Sequence, residues 1–521
     1  MTQSKQAAKS ILIMIIFGIG GKLLGFIREM LIAAKFGSGM ETDTFFIALT
    51  ATALLTTLLT KSLSTTMIPV MSEIGEREGR AGKQSHTNNL LNITLLISLL
   101  LVALGWFFSP AIIRILAYGF KGSQFTLAVT MVRIGLPAVI FAGVMGVYRG
   151  YLQSELSFFE SAAAAFPLNF VYILFLLLLA GTFGIKGLMV ASALAVGAQI
   201  LIQLPGLKKS GYRYELVLDF QDRYVKKSYK LVLPVLIGLA VGDLNAMIDR
   251  SMASKLVEGS ISALNYSTRL NGFVLAIFIT AITTVFFPLL SREATKEGYE
   301  RFKKLLQNAF NVILMITLPA TLGMVLLARP IVRMAFERGA FDPVATGMTA
   351  IALLFYSLGL TGMALRILME RVYYSLQDTK TPMYNGLLAL ALNIILNLIL
   401  IRSMAHSGLA LATAISSTLT TASLVYGLRK KIGSLGLNKL ALNGLKILAS
   451  TLAMGLLVYG LYYPLEGRVL GNSLQELLLL LGTIALGAAL YLVLIYLFKI
   501  EEVGWMIGLI KRKIASPQLK D

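Results

Sequence analysis

Three charged residues lie inside a run near the N-terminus that is otherwise apolar enough, and long enough, to cross a bilayer. They are Lys22, Arg28 and Glu29, and Asp43 opens the next apolar run. An arginine near the middle of a membrane helix costs roughly 2.5–3.5 kcal/mol on insertion scales, so we expect it to face a wet, protein-lined cavity. The charges therefore predict a binding site for a charged ligand. The alternative is that Arg28 and Glu29 pair with other helices only to hold the bundle together.

Four glycines accompany these charges, at positions 18, 20, 21 and 25. Small residues at close spacing allow neighbouring helix backbones to approach, or allow a helix to flex. We therefore expect the first helix to pack closely against another helix near its charged residues.

Composition indicates an all-α polytopic membrane protein. Of 521 residues, 56% are hydrophobic and 14% are charged, against about 25% charged in soluble domains. The absence of cysteine excludes disulfides and thiolate metal sites. The formal net charge of +21 is better explained by basic loops beside anionic membrane lipids than by nucleic-acid binding. The sequence has no GxxxxGK[ST], HExxH or GxSxG motif, so we expect a protein that is not an enzyme.

Apolar runs of about 20 residues predict about 14 transmembrane helices. The predicted spans lie near 10–36, 44–70, 89–108, 126–148, 158–180, 186–205, 229–254, 261–290, 305–327, 345–370, 383–402, 408–428, 441–463 and 473–498. Lysine and arginine concentrate in every second loop. The positive-inside rule then places these loops and both termini in the cytoplasm.

An internal repeat divides the chain into two halves. Pro69-Val70-Met71-Ser72 recurs as Pro288-Leu289-Leu290-Ser291, and Arg114 recurs as Arg333 at the same offset along the chain. Further pairs follow at nearly that offset: Leu152-Gln153 with Leu376-Gln377, Asn169 with Asn393, Gly187-Leu188 with Gly408-Leu409, and Gly206-Leu207 with Gly427-Leu428. Such a collinear series indicates a tandem duplication of six-helix halves. Because each half has an even number of helices, both have the same orientation in the membrane, as in transporters whose two lobes rock around a central site.

The repeat sets the predicted domains. They are an N-terminal six-helix lobe (1–210), a cytoplasmic linker (211–228), a C-terminal six-helix lobe (229–431), two extra transmembrane helices that form a lipid-tail groove (438–499), and a basic cytoplasmic tail (500–521). The extra helices could instead be only a packing buttress.

Several motifs resemble a known family. They are GKLLGFIREMLIAAKFGSGMETDTFF, IPVMSE, IDRSMASKL, GSISALNYSTRL and FFPLLSR. The chain is similar over essentially its whole length to the MurJ (MviN) family of lipid II flippases, within the multidrug/oligosaccharidyl-lipid/polysaccharide exporter superfamily. The resemblance implies a protein of the bacterial cytoplasmic membrane. It would move lipid II, an undecaprenyl diphosphate bearing a disaccharide-pentapeptide, from the inner to the outer leaflet by alternating access.

The resemblance also implies which charges contact the substrate. The family's essential cavity charges fall on Lys22, Arg28, Asp43 and Arg269, and we expect Glu29 and Asp43 to compensate the arginines in an empty cavity. Arg28 and Arg269 would grip the diphosphate together. Where the family often has an arginine pair, this chain has Thr56-Thr57, which leaves Lys61, one turn on, as a stand-in substrate-binding cation.

Polar residues in three later spans predict a sodium site. Asn393 and Asn397 are four residues apart and so share a helix face. Asp249 and Thr413 could converge with them to offer oxygen ligands, and the resemblance supports this, since the family's sodium site draws on the same three helices. The alternative is a satisfied polar cluster. No other cofactor is expected.

Two other functions remain open on the sequence. One is a flippase for another lipid-linked oligosaccharide of capsule or O-antigen type, an alternative that the Thr56-Thr57 departure keeps open. The other is a non-transporting scaffold that recruits cell-wall synthesis proteins, in which the buried charges would be structural pairs. Expected partners are lipid II, membrane lipids and such cell-wall proteins, and no nucleic acid.

Overall fold

The structure is a computed structural model that describes residues 3–296 and 298–500. Within that range, the side chains of 3–16, 233–243 and 437–439 are not described. Nearly all of the predicted basic tail, from 501 to 521, therefore lies outside the described residues.

The described residues form α-helices and no β-strand, as the composition predicts. In chain order the helices are α1 (Gln3–Phe36), α2 (Met40–Arg77), α3 (Gly79–Leu116), α4 (Gly122–Gly135), α5 (Ala138–Ser154), α6 (Phe159–Ala163), α7 (Ala165–Leu178), α8 (Ala180–Leu201), α9 (Leu204–Lys209), α10 (Arg223–Ala253), α11 (Ser260–Val274), α12 (Thr280–Ala294), α13 (Glu300–Leu326), α14 (Ala328–Phe336), α15 (Pro343–Leu358), α16 (Leu360–Ser375), α17 (Lys380–Ile432), α18 (Leu437–Val469) and α19 (Ser473–Leu497). A π-helical turn, Leu275–Ile279, joins α11 to α12.

Ten helical stretches of the described chain are long and apolar enough to cross a membrane, or eleven if the bent pair α15–α16 counts as one span. One of the ten is α17, whose 53 residues include a non-helical residue, Ala405. This break lies in the predicted turn between the spans 383–402 and 408–428. The remaining predicted spans correspond to α1 and α10, and α1 carries Lys22, Arg28 and Glu29. The architecture is compatible with fourteen spans, and that count stays a prediction.

The internal repeat is also visible in the backbone conformation. Left-handed residues recur in pairs at nearly the same offset as the sequence motifs: Gly37 and Gly259, Gly79 and Gly298, Leu156 and Gln377, Gly184 and Ala405, and Gly211 and Gly433. Leu156 and Gln377 have φ of 59° and 58°, which is uncommon for residues with a side chain. The two halves therefore share turn conformations that hydrophobic periodicity does not encode.

The turn before α17 is held by a carboxylate. Asp378 accepts hydrogen bonds from the backbone nitrogen of Thr381 at 3.0 Å and from Lys431 Nζ at 2.9 Å. Burial raises the pKa of Asp378, but these donors outweigh burial and hold the pKa at about 2. The charged carboxylate thus fixes the start of α17 at neutral pH.

Packing divides the described chain into two compact units. The first unit runs to Asn265 and also takes Phe336–Ala345, while the second takes the rest. The first therefore includes α10 and the start of α11, which the repeat assigns to the second half. The lobe boundaries near 210 and 229 follow the repeat and stay a prediction.

Each unit has its own hydrophobic core. In the first, Met67, Leu90 and Tyr151 are fully buried and join α2, α3 and α5. In the second, Phe302 on α13 and Leu368 on α16 are buried in one cluster.

The two extra helices α18 and α19 are fastened to α13 and α14 of the second unit. Arg333 on α14 donates to Glu466 Oε1 at 2.8 Å and also to Glu476. The hydroxyl of Tyr491 donates to the carbonyl of Met315 at 2.7 Å. An arginine shared by two carboxylates fixes α18 and α19 together on α14. The lipid-tail groove predicted for this pair stays a prediction.

The linker that follows α9 is bonded to α3 by three asparagines. We call residues 212–219 the linker strap. Asn89 donates to the carbonyl of Asp219 and accepts from its backbone nitrogen, both at 2.8 Å. Asn88 and Asn92 donate to the strap carbonyls of Arg213 and Val217 at 3.0 and 2.8 Å. Because side-chain amides satisfy its peptide groups, the strap is held on the first unit without forming a helix or a strand.

The Asn89→Ala substitution should loosen the linker strap. It removes two hydrogen bonds to the backbone of Asp219, each worth about 0.5–1.5 kcal/mol. Hydrogen exchange of the strap amides and tryptic cleavage after Arg213 should both become faster. As a control, Asn472→Ala removes two comparable bonds at the start of α19 and should leave the strap unchanged. Equal exchange in Asn89→Ala and the parent protein would show that the asparagines do not hold the strap.

Candidate functional site

The guanidinium of Arg28 is largely buried between a carboxylate and an aromatic ring. Its Nη2 donates to Glu29 Oε1 at 2.9 Å, and its Cζ lies 4.9 Å from the centre of the Tyr172 ring. The side chains of Arg28 and Glu29 are 16% and 4% exposed. Glu29 takes one of the five N–H donors of the guanidinium, and Arg28 bonds no second acceptor in the part of the chain that the structure describes. The group is therefore fixed in place and retains donors for a ligand.

Close helix packing positions Arg28. A side chain at Gly21 would come within 2.7 Å of Ala165 Cβ, and one at Gly20 within 2.9 Å of Phe166. Asn169 on α7 donates to the carbonyl of Gly21 at 3.2 Å. The glycines thus bring α1 against α6 and α7, which places Arg28 over Tyr172. Close approach was predicted from glycine spacing, and the structure confirms it at Gly20 and Gly21.

Two other predicted cations are more exposed to solvent than Arg28. The side chains of Lys22 on α1 and Lys61 on α2 are exposed. Thr56 bonds the carbonyl of Ala53 in its own helix at 3.2 Å, which is the ordinary role of threonine in a membrane helix. The part of Lys61 as a substitute for the missing arginine pair stays a prediction.

Asp43 caps the N-terminus of α11. Its Oδ2 accepts from the backbone nitrogen of Gly259 at 2.8 Å, while Oδ1 accepts from the nitrogen and hydroxyl of Ser262 at 2.7 and 2.5 Å. The residue is 3% exposed. A helix N-terminus offers unpaired N–H groups and a positive dipole end, so it stabilises a buried carboxylate. The sequence predicted Asp43 as a substrate contact, and the observed contacts show that it joins α2 to α11. We call this set of bonds the Asp43 cap.

Backbone contacts surround the Asp43 cap. The backbone nitrogen of Ala340 donates to the carbonyl of Ala34 at 2.8 Å. A side chain at Gly37 would meet the Ala340 carbonyl at 2.4 Å, and one at Gly339 would meet the Ala34 carbonyl at 2.2 Å. The loops after α1, α10 and α14 thus come together. The topology predicted from basic loops places these three loops on the same side of the membrane, which agrees with their contact.

One arginine near the Asp43 cap was not predicted as a site residue. Arg250 on α10 donates to Thr50 on α2, and its Nη2 donates to Asn265 Oδ1 on α11 at 3.1 Å. An arginine within a predicted span is itself a signal of function or pairing, and that signal would have identified Arg250. It links the same helices, α2 and α11, that the Asp43 cap links.

Arg269 lies on α11 and its side chain is exposed. It belongs to the second unit, while Arg28 belongs to the first. Their predicted joint grip on one substrate stays a prediction.

The structure brings three of the four predicted sodium ligands together. Asn393 Nδ2 donates to Thr413 Oγ1 at 3.1 Å, and Asn397 Nδ2 donates to Asn393 Oδ1 at 2.9 Å. Both asparagines are fully buried. The fourth residue, Asp249, is 6% exposed and belongs to the first unit. Two amides, a hydroxyl and a carboxylate are the hard oxygen ligands that suit a small cation. Within the described residues, no group of three or more His, Cys, Asp or Glu side chains could hold a metal.

Comparison with known proteins identifies related sequences over nearly the whole chain. A sequence model of the family described as "Lipid II flippase MurJ" matches residues 32–478. A probable lipid II flippase MurJ of Vibrio cholerae is 30% identical over 96% of this chain and 98% of its own length. A probable lipid II flippase MurJ of Rickettsia prowazekii is 29% identical over 92% and 95%.

Solved structures share the fold. A structure described as "Lipid II flippase MurJ, inward closed conformation" has a TM-score of 0.78 at 24% identity, covering 94% of this chain and 98% of its own. An inward-facing MATE family transporter of the MOP superfamily has a TM-score of 0.67 at 14% identity, with coverage of 80% and 95%.

The Asp43→Ala substitution should open the Asp43 cap. It removes three hydrogen bonds to a charged group, each worth about 1.5–3 kcal/mol, so opening should become at least about tenfold more frequent. Because the chain has no cysteine, a single Ser260→Cys reporter at this buried position can be followed by maleimide labelling. Labelling should be faster with Asp43→Ala than without it.

Thr44→Ala is the matched control, since Thr44 is also buried and its hydroxyl bonds the carbonyl of Met40 in its own helix. It should leave the labelling rate unchanged. Equal labelling in the Asp43→Ala and Thr44→Ala proteins would contradict the role of Asp43 as the cap.

Proposed function

Since the chain belongs to the lipid II flippase MurJ family, we propose that it carries lipid II from the inner to the outer leaflet of the bacterial cytoplasmic membrane by alternating access. The protein is an integral membrane transporter of lipid II, and both termini would be cytoplasmic. The observation that carries the mechanism is the guanidinium of Arg28, which is buried, positioned and still has N–H donors for an anion.

The substrate offers a diphosphate to this group. Charge-assisted hydrogen bonds from a guanidinium fork to phosphate oxygens are among the strongest polar contacts in proteins, and burial strengthens them. Arg28 can keep its bond to Glu29 and use the remaining N–H groups for the diphosphate. Arg269 would add a second guanidinium from the second unit, and Lys22 and Lys61 would add exposed positive charge.

Glu29 and Tyr172 keep the site stable when no substrate is bound. An arginine in an apolar environment needs a partner, and Glu29 supplies one at 2.9 Å. The aromatic face of Tyr172 contributes a cation–π contact of about 0.5–2 kcal/mol. The empty state is thereby stable enough to persist until substrate enters.

The Asp43 cap would act as a latch on the side predicted to be extracellular. Alternating access requires one side to close while the other opens, and the contacts of Asp43 with Gly259 and Ser262 join the helices that would separate. A ligand shifts such an equilibrium only by its extra affinity for one of the states. The diphosphate grip must therefore offset the hydrogen bonds that are lost when the Asp43 cap opens. In this role Asp43 would affect transport by holding α2 and α11 together.

The two alternatives from the sequence are not favoured. The family match is to lipid II flippases, rather than to transporters of other lipid-linked sugars. The same finding does not favour a scaffold without transport. For the two extra helices we propose the lipid-tail groove, because α18 and α19 lie outside the repeat and are fixed to α13 and α14 by Arg333.

Arg28→Ala and Arg269→Ala should each abolish lipid II export, because each removes charge-assisted bonds worth about 1.5–3 kcal/mol apiece. Lysine at either position should restore only part of the activity, since the point charge survives and the fork is lost. Export is measured as lipid II in the outer leaflet of cells that depend on the variant. The amount of protein in the membrane is measured in parallel.

Lys296→Ala is a suitable control, because Lys296 is exposed and pairs with Glu293 three residues away on the surface. It should export normally. Normal export by both arginine variants, or failure of both through degradation, would reject the substrate grip.

For ion coupling we propose that sodium binds to Asp249, Asn393, Asn397 and Thr413. On sodium binding, Oδ1 of Asn393 would give up the hydrogen bond that it accepts from Asn397 and would coordinate the cation instead. Asn393→Ala and Asp249→Ala should then each reduce transport and remove its dependence on sodium. Asn385→Ala is the control on the same helix, since Asn385 is buried and donates to the carbonyl of Thr420. Full and equally sodium-sensitive transport by Asp249→Ala would show that the coupling proposal is wrong.

A further inference from the structure

A basic cavity lies at the start of α13 in the second unit. Its volume is about 580 Å³, and it is closed on one side by the segment that leads into α18. We call it the α13 cavity. Its lining residues are Glu300, Arg301, Lys303, Lys304, Gln307, Asn308, Asn311, Ser434, Gly436 and Leu440. The volume falls within the range of about 300–1,000 Å³ typical of small-molecule sites.

The charges of the α13 cavity favour an anion. Three of its lining residues are cationic and one, Glu300, is acidic. The side chain of Lys303 is only 18% exposed, whereas that of Glu300 is 92% exposed. Their closest charged atoms are 3.7 Å apart, which is too long for a strong hydrogen bond. Glu300 is therefore mostly in solvent and compensates the charge of the half-buried Lys303 only weakly.

Specific contacts hold the wall of the α13 cavity in place. Gln307 Nε2 donates to the carbonyl of Leu435 at 2.9 Å. Gly433 and Gly436 have φ of +83° and +66°, which turns the chain tightly in front of α13. A side chain at Gly436 would come within 2.3 Å of Gln307 Nε2. The segment 433–436 is thus held against the amide groups of α13.

The internal repeat shows what occupies the equivalent place in the first half. At the offset that relates the two proline motifs, Asn88, Asn89 and Asn92 on α3 correspond to Gln307, Asn308 and Asn311 on α13. On α3 these amides donate to carbonyl oxygens of the linker strap. The second half has no such strap, because α18 begins at Leu437, directly after the turn at Gly436. Gln307 still donates to a chain carbonyl, that of Leu435, but beside Asn308 and Asn311 a cavity replaces the strap of the first half.

Three positions beside the amides carry a positive charge in the second half alone. Gly82, Gln84 and Ser85 of the first half correspond to Arg301, Lys303 and Lys304 of the second. In the first half these three positions are neutral, and the nearby Lys83, which corresponds to Phe302, is paired with Glu155 at 2.8 Å. In the second, three cations join the amide donors, a combination that suits phosphate oxygens.

We propose that the α13 cavity binds the phosphate headgroup of an anionic phospholipid. The cavity lies at the ends of two membrane helices, α13 and α18, at the side predicted to be cytoplasmic, where lipid phosphates are found. Basic pockets between membrane helices at that level commonly bind anionic headgroups. The apolar Leu440 in the wall packs against the core of the unit. The next leucines of α18, Leu442 and Leu445, are exposed, so a lipid tail can continue along that helix. A bound headgroup would fasten α18, the first helix outside the repeat, to α13.

The test measures lipid binding to the full chain in neutral detergent by native mass spectrometry. The probes are short-chain phosphatidylglycerol, short-chain phosphatidylcholine and inorganic phosphate. The Lys303→Gln/Lys304→Ser double variant carries the residues of the first half at two of the three cationic positions. Lys296→Ala removes a lysine that does not line the cavity. Thermal unfolding without lipid checks that each variant is folded.

The parent protein should bind phosphatidylglycerol at least about tenfold more tightly than phosphatidylcholine, because the choline cation of phosphatidylcholine cancels its phosphate charge and is repelled by the three cations of the cavity. The double variant should lose that preference, Asn308→Ala should weaken it, and Lys296→Ala should keep it. Equal affinity of the parent and the folded double variant for phosphatidylglycerol would overturn the proposal. Inorganic phosphate binding as tightly as phosphatidylglycerol, through the same lysines, would overturn the assignment to a lipid. Lipid II export plays no part in these readouts, so they are independent of the proposed transport mechanism.

Discussion

The free-energy cost of a charge in an apolar environment governs how this protein is assembled. Three charged side chains are largely buried, and each is stabilised by a different kind of partner. Arg28 pairs with the neighbouring carboxylate of Glu29 and an aromatic ring. Asp43 is stabilised by the N-terminus of α11, and Arg333 by two glutamates of the extra helices. Since an unpaired charge would be costly, these pairings fix helix positions.

Duplication supplied two copies of one scaffold, and the copies have diverged where they meet other parts of the chain. Paired left-handed turns such as Leu156 and Gln377 show that the shared geometry persists in the backbone. The amide groups of α3 and α13 show the divergence. In the first half they bind the linker strap, while in the second they line a cavity with added cations.

Several features were predicted correctly because they depend on neighbours in sequence. The class follows from long apolar runs, and the repeat from collinear motifs. The break near Ala405 follows from the turn between two such runs. Close packing at Gly20 and Gly21 follows from glycine spacing, and so does the face shared by Asn393 and Asn397. Arg250 was overlooked, although an arginine in a membrane span is visible in the sequence. Its partners on α2 and α11 were not visible, because they are 200 residues before it and 15 residues after it.

The sequence by itself determined that this is a duplicated, all-helical membrane protein whose first span carries charges that need partners, and its motifs indicated the flippase family. Only the tertiary structure decided which partners those charges take. Asp43 and Ser262 are 219 residues apart, and nothing local in either segment specifies that the carboxylate meets a helix N-terminus. The surroundings of Lys303 are likewise set by a distant segment. The chain turns at Gly433 and Gly436 and so forms one wall of the cavity that Lys303 lines. The physical reason is that apolar periodicity depends on residues a few positions apart. The electrostatic environment of a buried group depends instead on whichever segments the fold brings within a few ångströms.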